Sequence, residues 1–499
     1  MQVTLGYNAA EDRTKQPSAV LYEPARLING HMLVLGDSGV GKTTFLRRGI
    51  MEMVVTSMRS GSDVRVHLFD SHGDISIPHA SEVTFSEASG YGLNPLEINP
   101  DPHFGGVRRA VNAFISTVNR TVHKLGVKQE NCLRELLDEI YHAYGFDSED
   151  ASTWSPSRSR GRHNDAGRIY LDVPPEEAES AEMEGCIYDE HVGAFFTSSY
   201  TGRTQRWPML SSDGPYPTVK SLVRFGQARI NSLFLGANQP AMVALEVVNR
   251  QAKSRHKEIV ERYRSGTRME WVEDPDFKAK CDAAVLAYTD YIEAVRTGTE
   301  LRDLLKFTSL EVLRGVVDRL KALQATGIFG SKIPPFNNDA PVWRYNISPL
   351  DDDEKRLFVD FRLHQIFAAA VQRGVVDRVM DVVIIDEAKL YITDDDQHIL
   401  NRIIREARKF GVALIIASQS PGHFTNDLLT QVSTKIVLGL DRGHWPHAIR
   451  KLGLTETQLA WIRAHQRAIV LLKRAGQNSS PPIMLELPDM TNMNRRAAA

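Results

Sequence analysis

Three short stretches carry residue types and spacings suited to chemistry. In the first, HMLVLGDSGVGKTTFLRR (31–48), the run from Gly36 to Thr43 fits G-x-x-x-x-G-K-[ST]. This makes Gly36, Asp37, Ser38, Gly39, Val40, Gly41, Lys42, Thr43 and Thr44 a candidate phosphate-binding loop. Backbone N–H groups from Gly39 to Thr44 would cradle phosphates at a helix N-terminus. Lys42 would reach the β- and γ-phosphates, and the Thr43 hydroxyl would sit on Mg²⁺. The competing reading is an accidental glycine turn. An apolar strand before the loop and a helical pattern after it argue against that, so ATP and Mg²⁺ are the expected ligands.

The second stretch, MDVVIIDEAKLY (380–391), is an apolar strand ending in Asp386-Glu387. A strand-terminal carboxylate beside a phosphate loop can hold the Mg²⁺ shell, the role expected of Asp386. Glu387 is placed to polarise a water for attack on the γ-phosphate. Strand ends are often acidic and merely solvated, so the pair gains its meaning from the loop at 36–44. In the third stretch, REARKFGVALIIASQSPGHF (405–424), Gln419 ends a strand. Strand C-termini gather at the ligand crevice of a parallel sheet, where Gln419 could bond the γ-phosphate or the attacking water. Arg405, Arg408 and Lys409 either complement a helix C-terminus or send one arginine to a neighbouring subunit's ATP. A fourth stretch, LFDSHGD (68–74), reads as a turn capped by Asp70 and bent at Gly73, with His72 structural.

The elements that must position these residues are strand-like runs at 31–36, 64–70, 342–348, 380–386, 411–418, 434–440 and 467–473. Most are continuously apolar, as strands buried on both faces of a parallel sheet are. Helical patterns at 43–60, 354–373 and 396–411 alternate with them. That alternation predicts a doubly wound, mainly parallel α/β core. Between about 105 and 338 the strand signal mostly vanishes and helical patterns replace it, with an irregular Ser/Gly/Pro/Arg-rich section at 147–217. The expected organisation is an N-terminal arm (1–30), core (31–104), mostly helical insertion (105–338), core (339–475) and C-terminal tail (476–499). The Arg-rich part of the insertion, with Arg158, Arg160, Arg162 and Arg168, is a candidate phosphate-contacting loop competing with a solvated run.

Composition adds limits rather than a function. A chain of 499 residues, 24% charged, 42% hydrophobic and of net charge −2, is an ordinary globular composition that neither requires nor excludes nucleic acid. Cys132, Cys186 and Cys281 are widely spaced and show no metal-ligand pattern. The first residues lack a signal peptide and the longest apolar runs are strand-sized. A cytoplasmic location is expected, with any association with the inner membrane coming through partners.

Taken in order, NGHMLVLGDSGVGKTT, HLFDSHGD followed by GLNPLEI, KQENCLRELLDEIYHAYG, VVIIDEAKLY and REARKFGVALIIASQSP resemble the HerA–FtsK superfamily of P-loop motor ATPases. Within it they look most like HerA and the TraC-type ATPases of conjugative type IV secretion. The resemblance covers about residues 20–145 and 300–475. It implies a RecA-like core and a ring, usually a homo-hexamer, with ATP between subunits and a polymer threaded through the centre. By position, Lys42 and Thr43 match Walker A, Asp386 and Glu387 match Walker B, and Gln419 matches the sensor glutamine. Arg408 is the best match to the trans arginine, with Arg405 and Arg442 as alternatives. HerA proteins carry an N-terminal β-barrel, whereas about 30 residues precede the loop here. The expected function is an ATP-driven motor translocating DNA in conjugation or DNA processing. A secretion energiser acting on protein or channel subunits is the second reading, and a slow nucleotide-dependent switch or scaffold the third.

Overall fold

The computed structural model describes residues 1–488 outside positions 11–17, 62–63, 122–123, 156–168, 172, 175–176, 190–193, 198–203, 205, 208, 211–215, 235–238, 266–273, 298–309, 331, 397 and 478–480. The arginines at 158, 160, 162 and 168 lie outside the described residues. In chain order the strands are β1 Val3–Asn8, β2 Ala19–Tyr22, β3 Met32–Gly36, β4 Arg65–Asp70 and β5 Ser81–Thr84. Then come β6 Ile169–Leu171, β7 Ile187–Asp189, β8 Ala194–Thr197, β9 Met209–Leu210 and β10 Val342–Asn346. The last five are β11 Asp381–Ile385, β12 Val412–Ser418, β13 Thr434–Gly439, β14 Arg467–Leu472 and β15 Ile483–Glu486.

The 11-stranded sheet runs β2-β1-β15-β14-β13-β3-β12-β11-β4-β10-β5. From β13 to β5 every pairing is parallel. From β13 outward through β14, β15, β1 and β2 every pairing is antiparallel. The unbroken apolar runs belong to the parallel part: every residue of β3 and β12 is buried, because helices or loops cover both faces. Alternation sends Leu33 and Leu35 to one face and Met32 and Val34 to the other. The Met32–Val34 face is covered by the Lys42–Arg59 helix through Phe45, Leu46, Ile50 and Met53.

The opposite face carries the Asp352–Arg373 helix, started by an Asp351–Glu354 capping box. Helices Val107–Thr121, Val127–Ala143, Val219–Phe234 and Leu310–Ala325 join the same continuous core through Phe114, Leu136, Leu222 and Leu313. Part of the inserted segment therefore packs directly on the sheet. Helices Gln239–Arg264 and Pro275–Thr297 pair with each other.

The structure differs from the sequence pattern in two places. The stretch 147–217, read as irregular, contains a second sheet ordered β7-β8-β6-β9 with its own small core around Leu171, Phe195 and Trp207. Its strands have two to four residues, too short for a periodic signal. The expected arm and tail also contribute β1, β2 and β15 to the large sheet. Short sheet-extending strands owe their place to partners distant in sequence, which local pattern does not report.

Candidate nucleotide site

The phosphate loop joins β3 to the Lys42–Arg59 helix. Gly41 has φ of +98°, and a Cβ added there would lie 2.8 Å from Nδ1 of His465, so the position admits only glycine. Lys42 is buried and donates from Nζ to the Asp37 carbonyl at 2.9 Å. A phosphate would offer Lys42 a charged acceptor in place of that neutral one. The other side of the loop is held by residues far along the chain. His465 Nε2 donates to the Gly39 carbonyl at 2.9 Å. The Asp37 carboxylate accepts from the Asp441 N–H and stands 3.7 Å from His444 Nε2.

Sheet order brings the remaining chemistry together. β12 lies between β3 and β11, so the Gln419 strand separates the phosphate-loop strand from the carboxylate strand. Gln419 follows β12 and donates from Nε2 to Glu387 Oε1 at 3.2 Å. Glu387 has a left-handed backbone, φ +55°, which costs a non-glycine residue about 1–3 kcal/mol and persists only where the surroundings impose it.

Asp386 is 3% exposed. Burial pushes its carboxyl up to about 6, against the opposing pull of the Glu387 N–H, His72 and Lys42. A buried carboxylate this weakly compensated suits a divalent cation, and Asp386 and the Thr43 hydroxyl are hard oxygens of the kind that could hold Mg²⁺. Among the described residues no cluster of three or more His, Cys, Asp or Glu could hold a metal by itself.

The three candidate arginines have different surroundings. Arg405 bonds the Asp396 side chain at 3.1 Å and also the Asp396 carbonyl. Arg442 lies over the Trp445 ring at 5.7 Å, next to the Asp441 that holds this chain's own loop. Arg408 is exposed, and its guanidinium has no hydrogen-bond or ion-pair partner among the described residues. It precedes β12 while Gln419 follows it.

Sequence reasoning passed over Asp441, His444 and His465. Asp441 and His444 follow a strand that ends at the crevice, and that position was their available signal. His465 sits on a turn ahead of β14 with φ +62° and gave no signal. The LFDSHGD turn is built as expected: Asp70 accepts from the His72, Gly73 and Ile75 N–H groups, and Gly73 has φ +78°. Sequence did not reveal that buried Arg344 grips Asp70, from Nε at 2.9 Å and Nη2 at 2.7 Å.

The fold is a RecA-like sheet, and the loop that follows β3 has the P-loop spacing. No family model matches the chain. In sequence it is similar to the DNA double-strand break repair helicase HerA of Pyrococcus furiosus, 26% identical over 172 residues, which are 27% of this chain and 31% of that protein. HerA of Sulfurisphaera tokodaii is 35% identical over 101 residues, 19% of this chain and 20% of that protein. The chain thus spans under a third of the length of these relatives. In fold it is similar to VirB4 of Thermoanaerobacter pseudethanolicus, with a TM-score of 0.54 and 13% identity over 98% of this chain and 97% of that one. The likeness in sequence is thus to HerA proteins and the likeness in fold to VirB4. No helix among the described residues is long and apolar enough to cross a membrane.

Proposed function

We propose that this chain hydrolyses ATP with Mg²⁺ and works as a subunit of a ring-shaped motor that moves DNA. The observation that carries the reading is Glu387, whose backbone is strained, whose carboxylate accepts from Gln419, and which adjoins the undercompensated Asp386. In this reading the loop from Gly36 to Thr44 binds the phosphates, Lys42 neutralises the β- and γ-oxygens, and Asp386 with Thr43 holds Mg²⁺. Bound Mg²⁺ supplies charge stabilisation on the transferring phosphoryl group. Glu387 orients the attacking water and Gln419 responds to the γ-phosphate.

Ring assembly, with a hexamer as the expected form, is part of this proposal, and the place of Arg408 supports it. The 7 residues of β12 span about 23 Å at roughly 3.3 Å per residue, so Arg408 is out of reach of this chain's own phosphates. Exposed and without a hydrogen-bond or ion-pair partner among the described residues, it could complete a neighbour's site. DNA is proposed from the likeness to proteins described as DNA-repair helicases. The test is the ATPase rate with and without single- and double-stranded DNA across a salt series, together with mass in solution. DNA stimulation that falls steeply with salt supports the motor. An unstimulated rate at every salt removes DNA from the reading.

A second reading is a secretion energiser with channel subunits as partners and protein as cargo. It is favoured by the VirB4 likeness, which runs through nearly the whole chain. Recovery of channel components without DNA stimulation would select it. Both readings place the protein in the cytoplasm, brought to a membrane by partners.

A further inference from the structure

The turn after β4 is fixed more firmly than a solvent-facing turn requires. Asp70 is wholly buried and receives N–H groups from His72 at 3.2 Å, Gly73 at 2.7 Å and Ile75 at 2.9 Å. From β10, Arg344 adds two bonds to the same carboxylate and a third to Glu82 at 2.6 Å. A Cβ at Gly73 would lie 2.9 Å from Ser348 Oγ, which closes the turn from the other side. What this frame holds out is His72. Its Nε2 stands 3.8 Å from Glu387 Oε1, with the imidazole 58% and the carboxylate 21% exposed.

β4 and β12 flank β11, so the carboxylate is approached from both neighbouring strands. Gln419 Nε2 reaches Oε1 from the β12 side, and His72 Nε2 is directed at the same oxygen from the β4 side. Both contacts fall on Oε1, which leaves Oε2 to accept from a water. The two roles given to Gln419 compete, however. Its amide cannot turn to a γ-phosphate and keep its bond to Glu387, and once it leaves, no hydrogen bond from the β12 side remains on the carboxylate among the described residues. The gap at His72 is longer than a hydrogen bond. Contacts of this kind commonly tighten when the catalytic complex forms.

We propose that His72 is a positioning residue for Glu387, holding Oε1 through its Nε2–H when Gln419 turns to the nucleotide. The inference rests on the hydrolytic reading of Glu387. In this role His72 acts on neither the phosphate nor the attacking water. Its effect is to keep the orientation of the group that does, and a misplacement of about 1 Å at such a group costs on the order of 100-fold in rate.

The test is steady-state ATPase of the full chain for wild type, His72→Ala, His72→Gln, Glu387→Gln and the Glu387→Gln/His72→Ala double variant, with melting temperatures alongside. His72→Ala is expected to lower kcat by about 10–100-fold with KM for ATP and the melting temperature unchanged. His72→Gln, whose amide N–H reaches a similar place, recovers most of the rate. In the Glu387→Gln background the alanine change costs nothing further, because the group it positions is gone. Full kcat in His72→Ala, a loss that His72→Gln does not relieve, or a further loss in the double variant overturns the inference while the hydrolytic reading stands. Wild type no faster than Glu387→Gln overturns that reading, and the inference with it.

Discussion

Asp381 and Asp386 stand at the two ends of one strand, both mostly buried, and their surroundings drive them in opposite directions. At the start of β11, burial works to raise the Asp381 carboxyl. His67 at 3.5 Å and Arg373 at 2.7 Å more than offset it and hold the group below its ordinary value. Just past the strand's other end, burial wins and Asp386 is pushed up to about 6. The fold neutralises the carboxylate at the N-terminal edge of the sheet and leaves the one at the C-terminal edge short of positive charge. Burying a carboxylate without a partner costs stability. Where a fold tolerates it beside a phosphate loop, the missing charge is the ligand's to supply.

The largest test of this contrast concerns Arg408, which stands at the structural edge of its own chain and is proposed to serve the chemical edge of the next. Arg408→Ala should bind ATP and assemble yet hydrolyse about 10³–10⁵-fold more slowly, the usual worth of an arginine finger. Mixing it with Lys42→Ala protein should restore some rate, since one mixed interface joins an intact loop to an intact arginine. If freely exchanging mixtures stay inactive, or the isolated monomer is fully active, the division of labour between the two edges is wrong.

Within one chain, Glu387→Gln should bind ATP and lose about 10²–10⁴-fold in turnover, the typical share of general acid–base catalysis. Near-normal turnover would take Glu387 out of the chemistry.

The two aspartates make the comparison directly. Asp381→Asn takes the anionic partner from Arg373 and weakens the hydrogen bond to His67, and should cost about 1–3 kcal/mol by denaturant unfolding, with ATP binding retained. Asp386→Asn should leave stability equal or higher in the absence of metal and abolish the increment that Mg²⁺-ATP adds. Matching losses for both variants would erase the distinction.

The smallest expected effect is a pH dependence at the structural edge. Burial, with a smaller contribution from Arg408, lowers the His31 imidazole to about 4, against an opposing contact with the Ile404 carbonyl. Below about 6.5 the unfolded chain takes up a proton that the folded one refuses until about 4. Stability is therefore complete above about 6.5 and falls by up to about 3 kcal/mol as pH drops towards 4. His31→Asn, lower at neutral pH because it gives up the Leu414 N–H bond to the ring, should show a flatter melting-temperature profile across that interval. An equally steep profile would assign the acid lability elsewhere.

Much of this was legible in the residues themselves. The seven apolar runs at 31–36, 64–70, 342–348, 380–386, 411–418, 434–440 and 467–473 each coincide with a strand of the large sheet. A strand buried on both faces announces itself by composition alone. The segment from Gly36 to Thr44 was legible as a candidate phosphate loop because such a loop needs fixed spacing along one segment, and it does join a strand to a helix. The chemical pair Asp386-Glu387 was legible because it ends such a strand. What sequence could not decide was adjacency. That β12 separates β3 from β11, so that Gln419 meets Glu387, is a fact of strand order. The Arg344–Asp70 grip, the approach of His72 and the hold of His465 on Gly39 join residues distant in the chain. Local propensity acts over a few residues, whereas such contacts exist only once the sheet has closed and fixed which strand ends are neighbours.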